Sequence, residues 1–275
     1  MNITRSRRLL RQGALLACVI AVCGCTVPTS LSRAEPTGAR ILFEDEFNGP
    51  AGALPSSQWR YETGGGGWGN NELQIYTDSP ANVSLDGAGH LAITARGDAQ
   101  DVITSARITT QGSMEFTSGR AEARIALPAG TGLHPTFWLL GSNIDQVGWP
   151  AAGEIDVIET LNCATEYHTG IHAPRQGSPR GQEVSTAGPA PSPLAGEFHT
   201  YWVERTPGRI VTGVDGLTLL TVTPADLAAD SRWVFDAPFF LLLNLAVGGN
   251  WPGPPDASTP NPSTMLVDWV RVTAL

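Results

Sequence analysis

The sequence predicts an all-β protein that folds as a β-sandwich or jelly roll. Short runs in which apolar and polar residues alternate recur from Ile41 onward, and few stretches space their apolar residues as a helix does. Turn-forming residues are abundant, with 31 Gly and 21 Pro in 275 residues, and they separate these runs. Many short strands with turns between them are typical of sandwiches and jelly rolls.

The strands can be assigned in order along the chain. Residues 91–95, 102–110 and 120–125 each alternate between apolar and polar side chains, as a strand with one buried face does. Residues 241–247 are nearly all apolar and predict a strand buried on both faces, although periodicity alone leaves a helix open. Residues 224–230 predict one short helical turn.

A long segment late in the chain breaks this pattern. Residues 173–197 are rich in Pro, Gly and Ser and have no periodicity. They predict a long loop, which is unusual in a compact domain and often has a function. Because the segment directly follows His172, we expect it to lie beside a functional site.

The first 25 residues have the features of an export signal. Several arginines precede an apolar stretch that is short for a membrane span. Residues 22–25 resemble a bacterial lipobox, in which Cys25 would become the lipidated N-terminal residue; an ordinary cleaved signal is the alternative. Residues 26–39 predict a flexible tether and residues 40–275 one folded domain, so we expect a cell-surface lipoprotein or a secreted protein.

The charge of the chain limits its partners. Its formal net charge is −9, and it contains no Lys. An acidic protein is a poor candidate for binding nucleic acids or anionic membranes through bulk electrostatics, and the missing Lys excludes Schiff-base catalysis. We expect a monomer with no nucleic-acid partner, and membrane contact only through the lipid anchor. Cys163 is the one cysteine of the predicted domain, so no disulfide can form within it.

Residues 154–159, Glu-Ile-Asp-Val-Ile-Glu, place three carboxylates in an otherwise apolar run. On a helix, at about 100° per residue, the three would point in scattered directions. On a strand, Glu154 and Asp156 share a face, whereas Glu159 is out of phase by one residue. A β-bulge near Val157 or Ile158 would restore Glu159 to that face, and bulges are frequent beside active sites.

Three interpretations suit this acidic run. Carboxylates avoid apolar segments because burying an unpaired charge is costly, so three together need a reason. Glycoside hydrolysis uses a paired carboxylate nucleophile and carboxylic acid. Acidic triplets also bind Ca²⁺ or Mg²⁺ through oxygen ligands, and a solvated strand face is the third alternative.

Further motifs surround the acidic run. In order along the chain they occupy residues 68–77, 105–110, 119–125, 136–140, 149–150, 198–201, 244–253 and 267–272. The first reads Trp-Gly-Asn-Asn-Glu-Leu-Gln-Ile-Tyr-Thr, and residues 244–253 read Asn-Leu-Ala-Val-Gly-Gly-Asn-Trp-Pro-Gly. Together they resemble the laminarinase-like branch of glycoside hydrolase family 16. The resemblance runs from about Ile41 to the C-terminus.

This resemblance implies a fold and a reaction. The fold is a concanavalin A-like jelly roll of two curved antiparallel sheets, with a cleft on the concave sheet. The reaction is retaining endo-hydrolysis of β-1,3-glucan of the laminarin type, by a double displacement that needs no cofactor. Glu154 would be the nucleophile, Glu159 the general acid/base, and Asp156 the residue that hydrogen-bonds the nucleophile. We expect Glu154 to be ionised and Glu159 to be protonated, with about 5–5.5 Å between their carboxyls.

The same resemblance supplies candidate substrate-binding residues, since sugar rings need flat aromatic walls and fixed polar groups. These residues are Trp68, Asn71, Arg107, Trp149, His172 and Trp251. Taken singly, a Trp is more often part of a β core, an Arg on a strand is usually solvated, and a lone His is usually structural.

A structural calcium ion is also implied by the resemblance. Glu46, the carbonyl of Gly89 and Asp268 match the regions that hold it in relatives. Carboxylate and carbonyl oxygens are suitable Ca²⁺ ligands. The alternative is that Asp268 pairs locally with another side chain.

Three residues depart from the family pattern. His134 stands where relatives often have Trp, Arg205 stands where Trp is common, and Thr160 follows the acidic run where relatives often have an aromatic residue or Asn. The carboxylates themselves are intact. The departures therefore bear on which sugars fit near the cleavage point.

Two alternatives to a laminarinase follow from the same pattern. One is another family activity, on mixed-linkage glucan or a galactan, or by transglycosylation. The other is a non-catalytic β-glucan-recognition protein, which would have lost the catalytic carboxylates. Both Glu154 and Glu159 are present, which argues against the second alternative.

Overall fold

Two β-sheets account for most of the described chain. The computed structural model describes residues 38–97, 102–190 and 192–275. The predicted export signal with Cys25, and most of the predicted tether, lie outside these residues. No helix in the described residues has both the length and the apolar character that a membrane crossing requires.

The described residues form seventeen strands, with one short helix, α1 (Ile144–Val147), and one 3-10 turn at Pro224–Asp226, where a helical turn was predicted. The strands are β1 (Ile41–Asp45), β2 (Arg60–Glu62), β3 (Ile75–Tyr76), β4 (Val83–Leu85), β5 (Leu91–Gly97), β6 (Ile103–Ser105), β7 (Arg107–Thr109), β8 (Gly119–Ala126), β9 (Leu133–Gly141), β10 (Glu154–Glu159), β11 (Glu166–Arg175), β12 (Ser178–Pro189), β13 (His199–Thr206), β14 (Arg209–Val214), β15 (Leu217–Val222), β16 (Phe239–Val247) and β17 (Ser263–Thr273).

The strands form a ten-stranded and a seven-stranded sheet. The ten-stranded sheet has the order β15-β14-β13-β8-β17-β5-β6-β3, with β1 on β17 and β4 on β5. The seven-stranded sheet has the order β12-β11-β10-β9-β16-β7-β2. Neighbouring strands are antiparallel except β3 and β6, which run parallel. The predicted all-β sandwich is confirmed.

The core lies where apolar faces of the strands meet. In β8 buried residues alternate with partly exposed ones, as the 120–125 pattern predicted. All nine residues of β16 are buried, which confirms the strand predicted at 241–247. Leu241, Leu243 and Leu245 belong to the main core, whereas Phe240 and Leu242 form a smaller cluster on the other face. Each fully buried Leu or Phe side chain contributes about 1.5–3 kcal/mol.

The alternating run at residues 102–110 is two strands in different sheets. The chain passes at Ala106 from β6 in the ten-stranded sheet to β7 in the seven-stranded sheet. Ala106 is fully buried, and the Ser105 hydroxyl beside it donates to the carbonyl of Leu245 over 2.6 Å. A small side chain lets the backbone pass between the sheets here. Because the alternation continues through the crossing, periodicity did not reveal it.

The prediction of a loop at residues 173–197 is wrong over most of this segment. β11 continues to Arg175, and β12 pairs with it in register, with Ile171 opposite Val184. β12 is an edge strand whose residues are exposed or only partly buried, so it needs no apolar alternation. Its terminal Pro189 is compatible with such an edge position.

Arg205 is buried between the sheet and a neighbouring loop. Its Nη1 donates to the carbonyl of Phe116 over 2.8 Å, and its Nη2 donates to those of Phe235 and Ala237 over 2.6 and 2.7 Å. The guanidinium carbon lies 4.3 Å from the ring centroid of Phe239. The guanidinium therefore satisfies three backbone carbonyls and packs on an aromatic ring.

We expect Arg205→Ala to lower the free energy of unfolding by about 3–5 kcal/mol, because it opens a cavity and removes the donor of the Phe235 and Ala237 carbonyls, while the Phe116 carbonyl keeps the N–H of Phe239. Burial lowers the pKa of Arg205 to about 9, and the charge of Asp236 opposes this. The measurement is urea denaturation at neutral pH, with exposed Arg209→Ala as the matched control. Equal, small losses in both variants would show that Arg205 is dispensable for stability.

Candidate active site

A β-bulge in β10 brings the three carboxylates to one side of the sheet. The register shifts between Asp156 and Ile158 against β9, and between Asp156 and Glu159 against β11. Val157 and Ile158 are fully buried in the core, while Glu154 and Glu159 are partly exposed. The bulge predicted from the phase of Glu159 is confirmed.

The carboxylates line an open cleft of about 590 Å³ on the seven-stranded sheet. Strands β7, β9, β10, β11, β12 and β16 contribute to it, together with the segments after β2 and after β16. Its lining residues are Trp68, Asn70, Glu72, Arg107, His134, Thr136, Trp138, Glu154, Asp156, Glu159, His172, Arg180, Glu183, Asn244 and Trp251. A cleft of this form has room for an extended polymer with polar and aromatic contacts.

Burial and mutual repulsion change the proton affinity of these carboxyls. Burial raises the pKa of Glu154 to about 8, and the charge of Glu159 adds to this effect. The charge of Arg107 and hydrogen bonds from the side chains of Trp149 and Asp156 oppose it. Burial, followed by the charges of Glu154 and Glu159, raises the pKa of Asp156 well above its ordinary value.

Asp156 therefore retains a proton to higher pH than an exposed Asp does. Its hydrogen bond with Glu154 raises its own pKa and lowers that of Glu154, so Asp156 donates and Glu154 accepts. A neutral Asp156 favours the ionised form of Glu154, which nucleophilic attack requires. The raised pKa of Glu154 nevertheless opposes the ionised state that the sequence analysis expected at neutral pH, and the ionised fraction of Glu154 grows as pH rises.

His172 completes this group. Its Nε2 lies 3.5 Å from Asp156 Oδ2 and 3.8 Å from Glu154 Oε1. Burial lowers the pKa of His172, which favours the neutral imidazole near pH 7. In the described part of the chain, Glu154, Asp156 and His172 are the one set of three such side chains close enough to share a metal ion. The hydrogen bond from Asp156 to Glu154 already joins the two carboxyls of this set.

One aromatic wall of the cleft is built around Arg107. Its guanidinium carbon lies 4.9 Å from the ring centroid of Trp68 and 4.6 Å from that of Trp138. Its Nε donates to Glu62, and the Trp68 indole donates to the carbonyl of Gly64 over 3.1 Å. The structure thus places the predicted residues Trp68 and Arg107 in the cleft.

Exposed tryptophans flank the carboxylates as well. Trp149 is 44% exposed, and its ring centroid lies 5.7 Å from that of His172, which lines the cleft. Trp251 is 45% exposed and lines the cleft. The exposed part of each indole ring offers aromatic surface on which a sugar ring can stack. The structure brings Trp149, His172 and Trp251 together with the carboxylates.

The structure does not bring Asn71 into the cleft. Its backbone has φ = 56°, and its side chain is exposed and donates to Asn250 Oδ1 over 3.0 Å. The preceding residue, Asn70, lines the cleft instead. Two adjacent Asn residues on a tight turn point in different directions, and the sequence does not show which one faces the ligand.

Sequence reasoning missed several lining residues. Asn244 accepts hydrogen bonds from Thr136 Oγ1 and Trp138 Nε1, both over 2.8 Å, and it is the one polar residue of the run at 241–247. That polarity was a usable signal. Glu72 lay inside a recognised motif, and burial raises its pKa. Two others, Arg180 and Glu183, fell in the segment mistaken for a loop.

The family model described as glycosyl hydrolases family 16 matches residues 68–271. The chain belongs to glycosyl hydrolase family 16. The predicted resemblance is confirmed, and the match includes the bulged strand with all three carboxylates. The protein is therefore a glycoside hydrolase.

Several family 16 proteins are similar over most of this chain. A β-glucanase of Rhodothermus marinus is 34% identical over 99% of this chain and 97% of its own length. The structure of an endo-β-1,3-glucanase from Pyrococcus furiosus superposes with a TM-score of 0.77 at 40% identity, covering 86% of this chain and 94% of that one. An endo-1,3-β-glucanase from Streptomyces sioyaensis gives a TM-score of 0.79 at 33% identity, covering 88% and 98%. The predicted jelly roll is confirmed.

The predicted calcium residues of this family 16 chain lie away from the carboxylate cluster. Asp268 is in β17 and accepts a hydrogen bond from Arg124, and Glu46 lies 3.7 Å from Arg271. Gly89 lies in the turn between β4 and β5. Both carboxylates face an arginine, which is unfavourable next to a cation. The structural calcium stays a prediction.

Proposed function

We propose that this family 16 hydrolase cleaves internal β-1,3 linkages of a glucan with retention of configuration. The observation that carries the proposal is the bulge in β10, because it turns Glu154 and Glu159 into one open cleft. Relatives named as endo-β-1,3-glucanases support the choice of substrate. The catalytic roles of Glu154 and Glu159 and the separation of their carboxyls stay predictions.

In the first step Glu154 attacks the anomeric carbon while Glu159 gives its proton to the departing glycosidic oxygen. The bond between that carbon and oxygen breaks as the ester bond to Glu154 forms. Asp156 donates a hydrogen bond to Glu154. This bond holds the nucleophile in place and stabilises its ionised form before attack.

In the second step a water molecule attacks the same carbon and Glu159 takes its proton. The ester bond to Glu154 breaks, so both carboxyls return to their starting states. Two inversions at one carbon give net retention. All of these bonds involve the two carboxyls, the glycosidic linkage and water, so the proposed cycle uses no metal ion or cofactor.

The walls of the cleft suit a neutral glucan. Trp68 and Trp251 offer aromatic surface within the cleft, and Arg107 and Asn70 offer polar contacts to hydroxyls. The open form of the cleft suits binding in the middle of a chain. The acidic charge of the protein does not favour anionic galactans, because like charges repel.

The test is incubation of the purified domain with laminarin, lichenan, agarose and carrageenan, followed by product analysis. We expect short oligosaccharides from laminarin, with a fast loss of viscosity because cleavage is internal. We also expect the first product seen by proton NMR to be the β-anomer. Products from agarose alone, or an α-anomer as first product, would contradict the proposal.

We also propose that the protein is exported and works outside the cytoplasm as a monomer. The charged and apolar segment before residue 26 supports export, and Cys25 in its lipobox-like setting supports a lipid anchor. Polysaccharides too large to cross a membrane must be cut outside the cell. Anchored and fully secreted forms both satisfy this requirement.

A further inference from the structure

The general acid/base proposed above has a histidine partner. His134 lies on β9 two residues before Thr136, which pairs with Glu159 in the sheet. Side chains two residues apart on a strand share a face, so His134 reaches the same carboxyl. Its Nε2 lies 3.0 Å from Glu159 Oε1, and its side chain is only 9% exposed.

The surroundings of His134 select the tautomer. Its Nδ1 is buried and has no hydrogen-bond partner in the described part of the chain. A proton on Nδ1 would leave a buried donor unsatisfied, which proteins strongly avoid. The neutral ring with its proton on Nε2 avoids this cost. His134 therefore donates to Glu159 Oε1, and this assignment rests on the hydrogen-bond pattern.

We propose that His134 is a positioning residue for the general acid/base. The inference rests on the function proposed above. By donating to Oε1, His134 fixes the rotation of the Glu159 carboxyl and leaves Oε2 to hold the proton that the glycosidic oxygen receives. After that transfer the same N–H stabilises the carboxylate that must act as base. One hydrogen bond thus serves both steps.

Other groups near Glu159 do not replace this contact. His168 pairs with Glu159 from β11, but its ring packs on Trp251, 4.8 Å away between centroids. Trp251 also contacts the ring of His134, with 5.3 Å between the ring centroids. Glu154 and Asp156 share the strand of Glu159, but both are carboxyls and neither supplies an N–H donor.

A further carboxyl lies on the other side of His134. The charge of a protonated His134 lowers the pKa of Glu72, so the two side chains are close enough to interact. Glu72 accepts a hydrogen bond from Gln74 over 2.6 Å.

The test compares two aryl β-laminaribiosides, one with a 2,4-dinitrophenyl and one with a phenyl leaving group. A dinitrophenolate leaves without protonation, whereas phenolate needs the proton of Glu159. For His134→Phe we expect kcat/KM to fall about tenfold on the phenyl substrate and less than about twofold on the dinitrophenyl substrate. A purely structural role would lower both values equally.

Two more variants keep the test decisive. His134→Gln places an amide N–H near the position of Nε2 and is expected to recover most of the phenyl activity. His134→Asn is too short for this contact and is expected to behave like His134→Phe, which covers the case in which the Phe variant does not fold. His90→Phe, in the turn between β4 and β5, is the control and is expected to keep wild-type values.

Three results would overturn the role of His134: equal loss on both substrates, no loss on either, or a folded Gln variant that recovers nothing. These results require a wild-type protein that hydrolyses the laminaribiosides. A wild-type protein inactive on both glycosides and on laminarin would overturn the proposed function instead. The two failures are therefore distinct.

Discussion

Glu154→Gln is expected to lower kcat on laminarin by about four orders of magnitude or more, because a neutral amide cannot form the glycosyl ester. The change removes one charge and keeps the shape of the side chain. Laminarin binding should persist, since the tryptophans of the cleft are unchanged. Turnover is measured by reducing-end release and binding by calorimetry. Glu166→Gln, exposed on β11, is the matched control and should keep wild-type activity.

Thermal stability shows whether the Glu154→Gln variant is folded. The difference in Tm between this variant and the wild type also has an expected sign, which depends on pH. Burial raises the pKa of Glu154 from 4.5 to about 8. The folded wild-type protein therefore binds more protons than the unfolded chain, and it loses stability as pH rises through this window. The Gln variant lacks this loss, so its Tm should exceed that of the wild type at pH 8 and match it near pH 4. Undiminished turnover would reject Glu154 as the nucleophile.

Glu159→Ala is expected to separate the two steps of the reaction. Hydrolysis of laminarin should fall by about 10²–10⁴-fold, because the leaving sugar is no longer protonated. The value of kcat/KM for 2,4-dinitrophenyl β-laminaribioside should change little, since this leaving group needs no acid. The second step still lacks its base, so glycosyl-enzyme should accumulate and give a burst of dinitrophenolate.

Added azide provides the second readout for Glu159→Ala. Azide attacks the glycosyl-enzyme without needing a base, so it should restore turnover and yield a β-configured glycosyl azide. Glu159→Gln is the isosteric companion and should behave in the same way. An equal fall on both classes of substrate, or an α-configured azide, would contradict the role of Glu159 in a retaining mechanism.

The sequence predicted much of the catalytic strand because its signal is local. The period of a strand puts Glu154 and Asp156 on one face, and the odd spacing to Glu159 demands a bulge. The fully buried β16 was visible in the same way, because a run of apolar residues reports burial on both faces. Such patterns depend on neighbours within a few residues.

Other features were hidden because they depend on partners far along the chain. β12 is exposed at a sheet edge, so its sequence carries no apolar period and resembles a loop. Ala106 marks the point where the chain crosses from one sheet to the other, and the alternation of apolar and polar residues does not reveal this crossing. Arg205 looked like a substituted wall residue, yet it is buried against backbone carbonyls. The hydrogen bond between His134 and Glu159 joins residues on two different strands.

The sequence by itself determined the strand-rich architecture, the family and the position of the three carboxylates, because periodicity and motif order are written along the chain. The tertiary structure decided which side chains meet. Strand register brought Trp68, Trp251 and β12 to one cleft from distant parts of the chain, and burial within that cleft set the proton affinities of Glu154 and Asp156. Contacts and desolvation exist only after the sheets have paired, so no local pattern could encode them.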